Sequence, residues 1–134
     1  MRHAMHPIRD YMSPTVHTVD LEASLPEARQ LMKEHGIRHL PVLDGSRLVG
    51  VVSQRDVVAL ETSPFIDTSV ISVHDAMAEV PYAVSPETPL REVVQVMADN
   101  KYGSAVVMEE GRVCGIFTTV DAMSVLAELL LRTD

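Results

Sequence analysis

The sequence predicts an α/β fold made of two tandem copies of one strand-helix-hairpin-helix unit, related by a pseudo-twofold axis. Three observations carry that prediction. Shifting residues 8–62 by 65 positions aligns twelve identical pairs without a gap, among them Asp10 with Asp75, Met12 with Met77, Leu25 with Leu90, Met32 with Met97, Val42 with Val107, Gly50 with Gly115 and Asp56 with Asp121, and such a repeat decides architecture before any local signal. Each copy shows one helical stripe followed by two β-rich runs around a tight turn. A unit of about sixty residues with three short strands cannot cover both sheet faces, whereas two copies can bury theirs against each other. The copies span 8–62 and 73–130, with a linker at 63–72.

Each element follows from its residues. Val16-His17-Thr18-Val19 is a short β-prone run. Ser24, three residues before Glu27, forms a capping box, and Pro26 is tolerated in the first helical turn. Leu25, Ala28, Leu31 and Met32 recur at helical spacing, and Gly36 is placed to end that helix. In the second copy Thr88-Pro89 opens the helix, Leu90, Val93, Val94 and Met97 make its stripe, and Asn100 terminates it. Two apolar runs then flank Asp44-Gly45, a hairpin signal, and their counterparts flank Gly111. A last helix follows each hairpin, from about Gln54 to Glu61 and from about Thr119 to Arg132. The linker carries Phe65, Ile66, Val70 and Ile71 and is expected to pack against the body.

Charge and composition narrow the function. The net charge is −8, which argues against a nucleic-acid partner because phosphate neutralisation needs a basic surface. Residues 1–65 hold seven Lys and Arg against eight Asp and Glu, while residues 66–134 hold four against eleven, so an anion site belongs in the first copy. No apolar run approaches the roughly 18 residues that span a bilayer, and the N-terminus has no apolar core of a signal peptide. One cysteine, Cys114, excludes an intrachain disulfide and fits a reducing, cytoplasmic setting. In a core strand it reads as a small hydrophobe.

The chemistry-bearing segments are Gly50-Val51-Val52-Ser53-Gln54-Arg55-Asp56 and Gly115-Ile116-Phe117-Thr118-Thr119-Val120-Asp121. In structural terms each is a strand running into a capping box. In functional terms the same helix start offers amides to a phosphate and a carboxylate to a ribose diol. Both readings stand on local pattern.

Both halves resemble the CBS domain, the module named after cystathionine beta-synthase, and the chain resembles a stand-alone tandem pair, or Bateman module. The resemblance rests on Asp10-Tyr11-Met12 and Asp75-Ala76-Met77, on Ile37-Arg38-His39-Leu40-Pro41-Val42, and on the two Gly-to-Asp segments. It implies a regulatory module that binds an adenosine-containing ligand (AMP, ADP, ATP or S-adenosylmethionine) in clefts between the repeats. By the same implication Asp56 and Asp121 hold ribose, Ser53 and Thr118 sit near phosphate, and adenine is enclosed by His17, Ile37 and His39 in one site and by Tyr82, Tyr102 and Ser104 in the other.

The copies differ around these positions. Arg55, Arg38 and His39 are replaced by Val120, Gly103 and Ser104, so the Asp56 site is expected to prefer a phosphorylated nucleotide, and the Asp121 site to bind more weakly, to take a less charged adenosyl ligand or to stay empty. Arg55 points either into the cleft or to solvent. No nucleophile elbow, Cys/His arrangement or metal-site spacing appears: His3 and His6 belong to an N-terminal arm, and no enzyme activity, cofactor or metal is expected. The apolar Ala122, Met123, Val125, Leu126, Leu129, Leu130 and Leu131 exceed one buried helix face and suggest a homodimer. The rival reading is a structural dimerisation module without a physiological ligand, in which the two boxes are only caps.

Overall fold

The computed structural model describes residues 6–78 and 80–133. Its elements run β1 (Val19–Asp20), α1 (Leu25–His35), β2 (His39–Asp44), β3 (Arg47–Ser53), α2 (Gln54–Glu61), a short α3 (Val73–Ala76), β4 (Ala83–Val84), α4 (Leu90–Asn100), β5 (Ser104–Glu109), β6 (Arg112–Thr118) and α5 (Thr119–Thr133). Two separate three-stranded sheets result, ordered β1-β2-β3 and β4-β5-β6, each with a parallel outer pair and an antiparallel hairpin. The expected strand-helix-hairpin-helix order is present twice.

The local signals act as chemistry requires. The Ser24 hydroxyl accepts the Glu27 amide at 3.2 Å, and Gly36 takes the left-handed conformation (φ 62°) that closes α1. At the end of α4 the terminator is displaced by one residue: Asn100 stays helical and its amide donates to the Val96 carbonyl at 2.8 Å, while Lys101 turns left-handed (φ 59°). The first hairpin loop is Gly45-Ser46, with only Gly45 at positive φ; the second is Glu110-Gly111, with both residues at positive φ. These match the two mirror-image turns that fit twisted strands. The first strand starts at Val19, where it meets Val42, and not at Val16.

The chain divides into two compact units that do not coincide with the repeats. A central unit comprises His17–Pro81, and a flanking unit combines Met1–Val16 with Tyr82–Asp134. The first segment of each copy therefore serves the sheet of the other copy. Ile8 is fully buried in the flanking core with Val93, Met97, Ala105, Val107 and Phe117. Val73, its counterpart 65 residues on, is fully buried in the central core with Leu25, Met32, Leu40, Val42, Val52 and Val57. Burial of each side chain is worth roughly 1.5–3 kcal/mol.

Backbone bonds repeat the exchange. Ile8 N donates to Thr88 O and Val73 N to Ala23 O, each at 2.8 Å. Ser13 and Ala78 then bond to Ile116 and Val51, respectively, in isolated antiparallel bridges. The methionines that recur with the repeat follow suit: a Cβ on Gly50 would meet the Met77 sulfur at 2.7 Å, and one on Gly115 would strike the Met12 sulfur.

Part of the linker departs from expectation. Ile71 packs on the central core, but Phe65 is 94% exposed and Val70 79% exposed. The segment is tied down by its backbone and by Ile71, and not by its aromatic residue.

Candidate functional site

In the central unit β3 delivers Ser53 to the start of α2. The Asp56 amide donates to Ser53 Oγ at 3.2 Å, and one carboxylate oxygen, Asp56 Oδ2, accepts both the Ser53 amide (3.4 Å) and the Ser53 hydroxyl (2.8 Å). The other oxygen, Oδ1, has no protein partner among the described residues. Gln54 N donates to Arg38 O at 2.8 Å, and His39 lies across the ladder from Ser53. Arg38, His39, Ser53 and Asp56 are thereby gathered at one end of the sheet. Ile37 enters beside them, half-buried against the core, its amide bonded to Met32 O.

His39 is half-buried, and burial is the main reason its imidazole titrates below the usual histidine range; the Arg38 charge adds to this, while the Asp56 carboxylate opposes it. The ring is neutral at neutral pH. Arg55 is exposed on the first turn of α2 and makes no ion pair among the described residues. The His17 ring stacks on His35, centroids 3.6 Å apart and planes 10° apart. His35 was not singled out from the sequence, because nothing in its helical position marks it as facing the approach to β1.

The flanking unit builds the same corner. Asp121 Oδ2 accepts the Thr118 amide at 2.9 Å and its hydroxyl at 3.1 Å; the Asp121 amide donates to Thr118 Oγ1 at 3.4 Å. Thr119 N donates to Gly103 O at 3.1 Å, and buried Ser104 lies opposite Thr118. Asp121 Oδ1 is again without a protein partner among the described residues. Here the neighbours are aromatic: the rings of Tyr82 and Tyr102 sit 5.5 Å apart at 32°. Tyr102 is exposed, whereas the Tyr82 hydroxyl is buried without a hydrogen-bond partner among the described residues. Burial raises the Tyr82 phenol above its ordinary value, with Glu92 and Tyr102 adding to it.

One backbone difference separates the two corners. Val106 N donates to Tyr82 O at 2.8 Å, fixing the segment that enters β4. Pro41 holds the equivalent place in β2 and has no N–H to offer. The approach to β1 is held by a ring stack where its counterpart is held by a backbone bond.

A second feature lies on α4 and α5. No residue of α5 is buried, and Met123, Leu126, Leu129, Leu130 and Leu131 are all exposed. Together with Tyr11, Leu90 and Val94, part of this face lines an apolar groove of about 600 Å³. Among the described residues no group of three or more His, Cys, Asp or Glu side chains is gathered to hold a metal ion, and no helix is long and apolar enough to cross a membrane. His3 lies outside the described residues. Cys114 is half-buried against the flanking core, and burial pushes its thiol up.

The family pattern described as CBS domain matches residues 8–62 and 72–128. An inosine-5'-monophosphate dehydrogenase of Korarchaeum cryptofilum is 38% identical over 90% of this chain, which spans only 24% of that enzyme. Hypoxic response protein 1 of Mycobacterium tuberculosis is 30% identical over 90% of this chain and 85% of its own length. Among solved structures, the Arabidopsis thaliana CBS-pair protein CBSX2 in complex with AMP is 27% identical, covers 92% of this chain and 98% of its own, and superposes with a TM-score of 0.78.

Proposed function

The chain belongs to the CBS domain family, and on that premise we propose that it is a regulatory module sensing an adenosine-containing ligand through the corners at Asp56 and Asp121. One observation carries the reading. In both units the aspartate spends a single oxygen on its helix cap and leaves the other without a protein acceptor role, beside a helix start that favours negative charge. A ribose diol is the complement of that free oxygen, and the bound AMP of the CBSX2 structure supports an adenine nucleotide.

Phosphate goes to the central unit, where Arg38 and His39 stand at the sheet end and Arg55 on the first turn of α2 adds positive charge nearby in the chain; the flanking corner offers Tyr82, Tyr102 and Ser104 and suits a less charged adenosyl group. Binding shifts an equilibrium only if two states differ in affinity, so the regulated quantity is the arrangement of the units or of subunits. The apolar α5 face supports a homodimer in which a second copy covers it. No catalytic step is assigned to the chain, and a cytoplasmic setting fits its single half-buried cysteine.

Titration calorimetry with AMP, ATP and S-adenosylmethionine on the wild type, Asp56→Asn and Asp121→Asn tests the reading. Loss of AMP affinity in Asp56→Asn with little change in Asp121→Asn is the expected result, and equal losses count against the division of labour. The reading of a purely structural module has its own support, since both capping boxes are complete without any ligand. No thermal stabilisation by any of the three compounds at millimolar concentration would favour it. Light scattering tests the dimer: a single 14.8 kDa species at micromolar concentration would exclude it.

A further inference from the structure

We infer that His39 makes the central corner a proton-coupled anion site: binding of a phosphorylated ligand there takes up a proton on the His39 imidazole. The inference rests on the proposed nucleotide reading and adds to it how that site is regulated. Its basis is placement. His39 opens β2, cross-strand from Ser53, while Gln54 N bonds back to Arg38 O, so the imidazole is held beside the α2 helix start. Two charged groups act on it, Asp56 from α2 and Arg38 from the approach to β2; Ser53 on β3 is neutral.

In the free protein these influences hold the ring's titration below the usual histidine range, because burial and Arg38 together outweigh Asp56. A phosphate drawn to the helix start and to Arg38 reverses the balance. It offsets the Arg38 charge and adds a negative charge of its own near the ring. One unit charge at about 6 Å in an effective dielectric of about 20 changes a protonation equilibrium by roughly a hundredfold. The imidazolium then gains a partner that repays its desolvation. Because the liganded state binds more protons than the free state, affinity rises as pH falls. The flanking corner has Ser104 at this position and cannot respond in this way.

The test is AMP titration of the full chain between pH 6 and 8, in buffers of different ionisation enthalpy, so that proton uptake is read from the heat. AMP titrates its own phosphate in this range, and His39→Gln supplies the reference that removes this contribution. The expected wild-type affinity is about tenfold tighter at pH 6 than at pH 8 after that subtraction, with net proton uptake that His39→Gln lacks. Ring NMR of His39 provides a second measurement that does not require a variant: its titration midpoint should move upward on adding AMP, and much less on adding adenosine, which has no phosphate. Identical uptake in wild type and His39→Gln, or an unmoved midpoint with AMP bound, overturns the inference while leaving nucleotide binding intact. Absence of AMP binding at every pH overturns the nucleotide reading, and the inference with it.

Discussion

The central and flanking units share a topology, a register and a capping box, yet they spend their variable positions differently. Where the central unit has Arg38, His39 and Arg55, the flanking unit has Gly103, Ser104 and Val120. Its two-residue hairpin loop needs two left-handed residues, the central one a single glycine. Helix α2 has 8 residues and a buried Val57, whereas α5 has 15 and buries none. Core positions stay apolar in both units even where the residue changes, as at Leu40 and Ala105 or Val52 and Phe117, while Arg38, His39, Arg55 and the last helix have diverged. The scaffold is therefore set by packing, while ligand chemistry and association are set by a handful of side chains that packing does not constrain.

The comparison can be broken most forcefully at the exchanged segments. Ile8→Ala should cost about 2–5 kcal/mol in urea denaturation, because it empties a site closed by Val93 and Phe117. Val73→Ala should cost less, since a smaller side chain is removed. A loss below about 0.5 kcal/mol for Ile8→Ala would show that the arm is dispensable.

Asp56→Asn sharpens the functional side of the contrast: AMP affinity should fall between ten- and a hundredfold, the range for hydrogen bonds to a charged group. Asp121→Asn should leave AMP binding nearly unchanged in calorimetry.

The glycines distinguish the units by what opposes them. A Cβ on Gly50 would meet the Ala78 carbonyl oxygen at 2.5 Å, a backbone atom, whereas the nearest atoms to one on Gly115 all belong to the Met12 side chain. Gly50→Ala should therefore destabilise by about 1–3 kcal/mol and Gly115→Ala by clearly less. Equal melting temperatures for the two variants would contradict this account.

The smallest effect is a pH slope in the unliganded protein. His39 titrates lower in the folded chain than its ordinary 6.5, so the unfolded state binds the extra proton first. The stability contributed by the neutral ring is complete above 6.5 and is lost as pH falls through that value toward the folded one. His39→Gln should flatten this part of a stability-versus-pH curve.

Much of this was legible in the sequence, for stated reasons. Ser24 with Glu27, Ser53 with Asp56 and Gly36 are local signals, and local signals determine local geometry; the 65-residue repeat adds that both copies share it. The exchange of segments was not legible. Ile8 aligns with Val73, but an identity in register says that two residues are equivalent and not which copy each one enters. The stack of His17 on His35 was hidden for a related reason: it joins the end of α1 to the approach to β1, and no local pattern pairs two histidines so far apart in the chain. The exposure of Phe65 ran against expectation because an apolar residue in a linker does not reveal whether a partner surface lies within reach.

The mismatch between repeat and unit has a consequence for how the chain can be divided. A cut at the repeat boundary, near residue 65, leaves each fragment holding the arm that the other requires and lacking its own. Cuts after Val16 and after Pro81 free one uninterrupted stretch that contains a complete sheet, its helices and its arm. The remaining unit is then two pieces that must find each other, unless they are rejoined end to end by circular permutation.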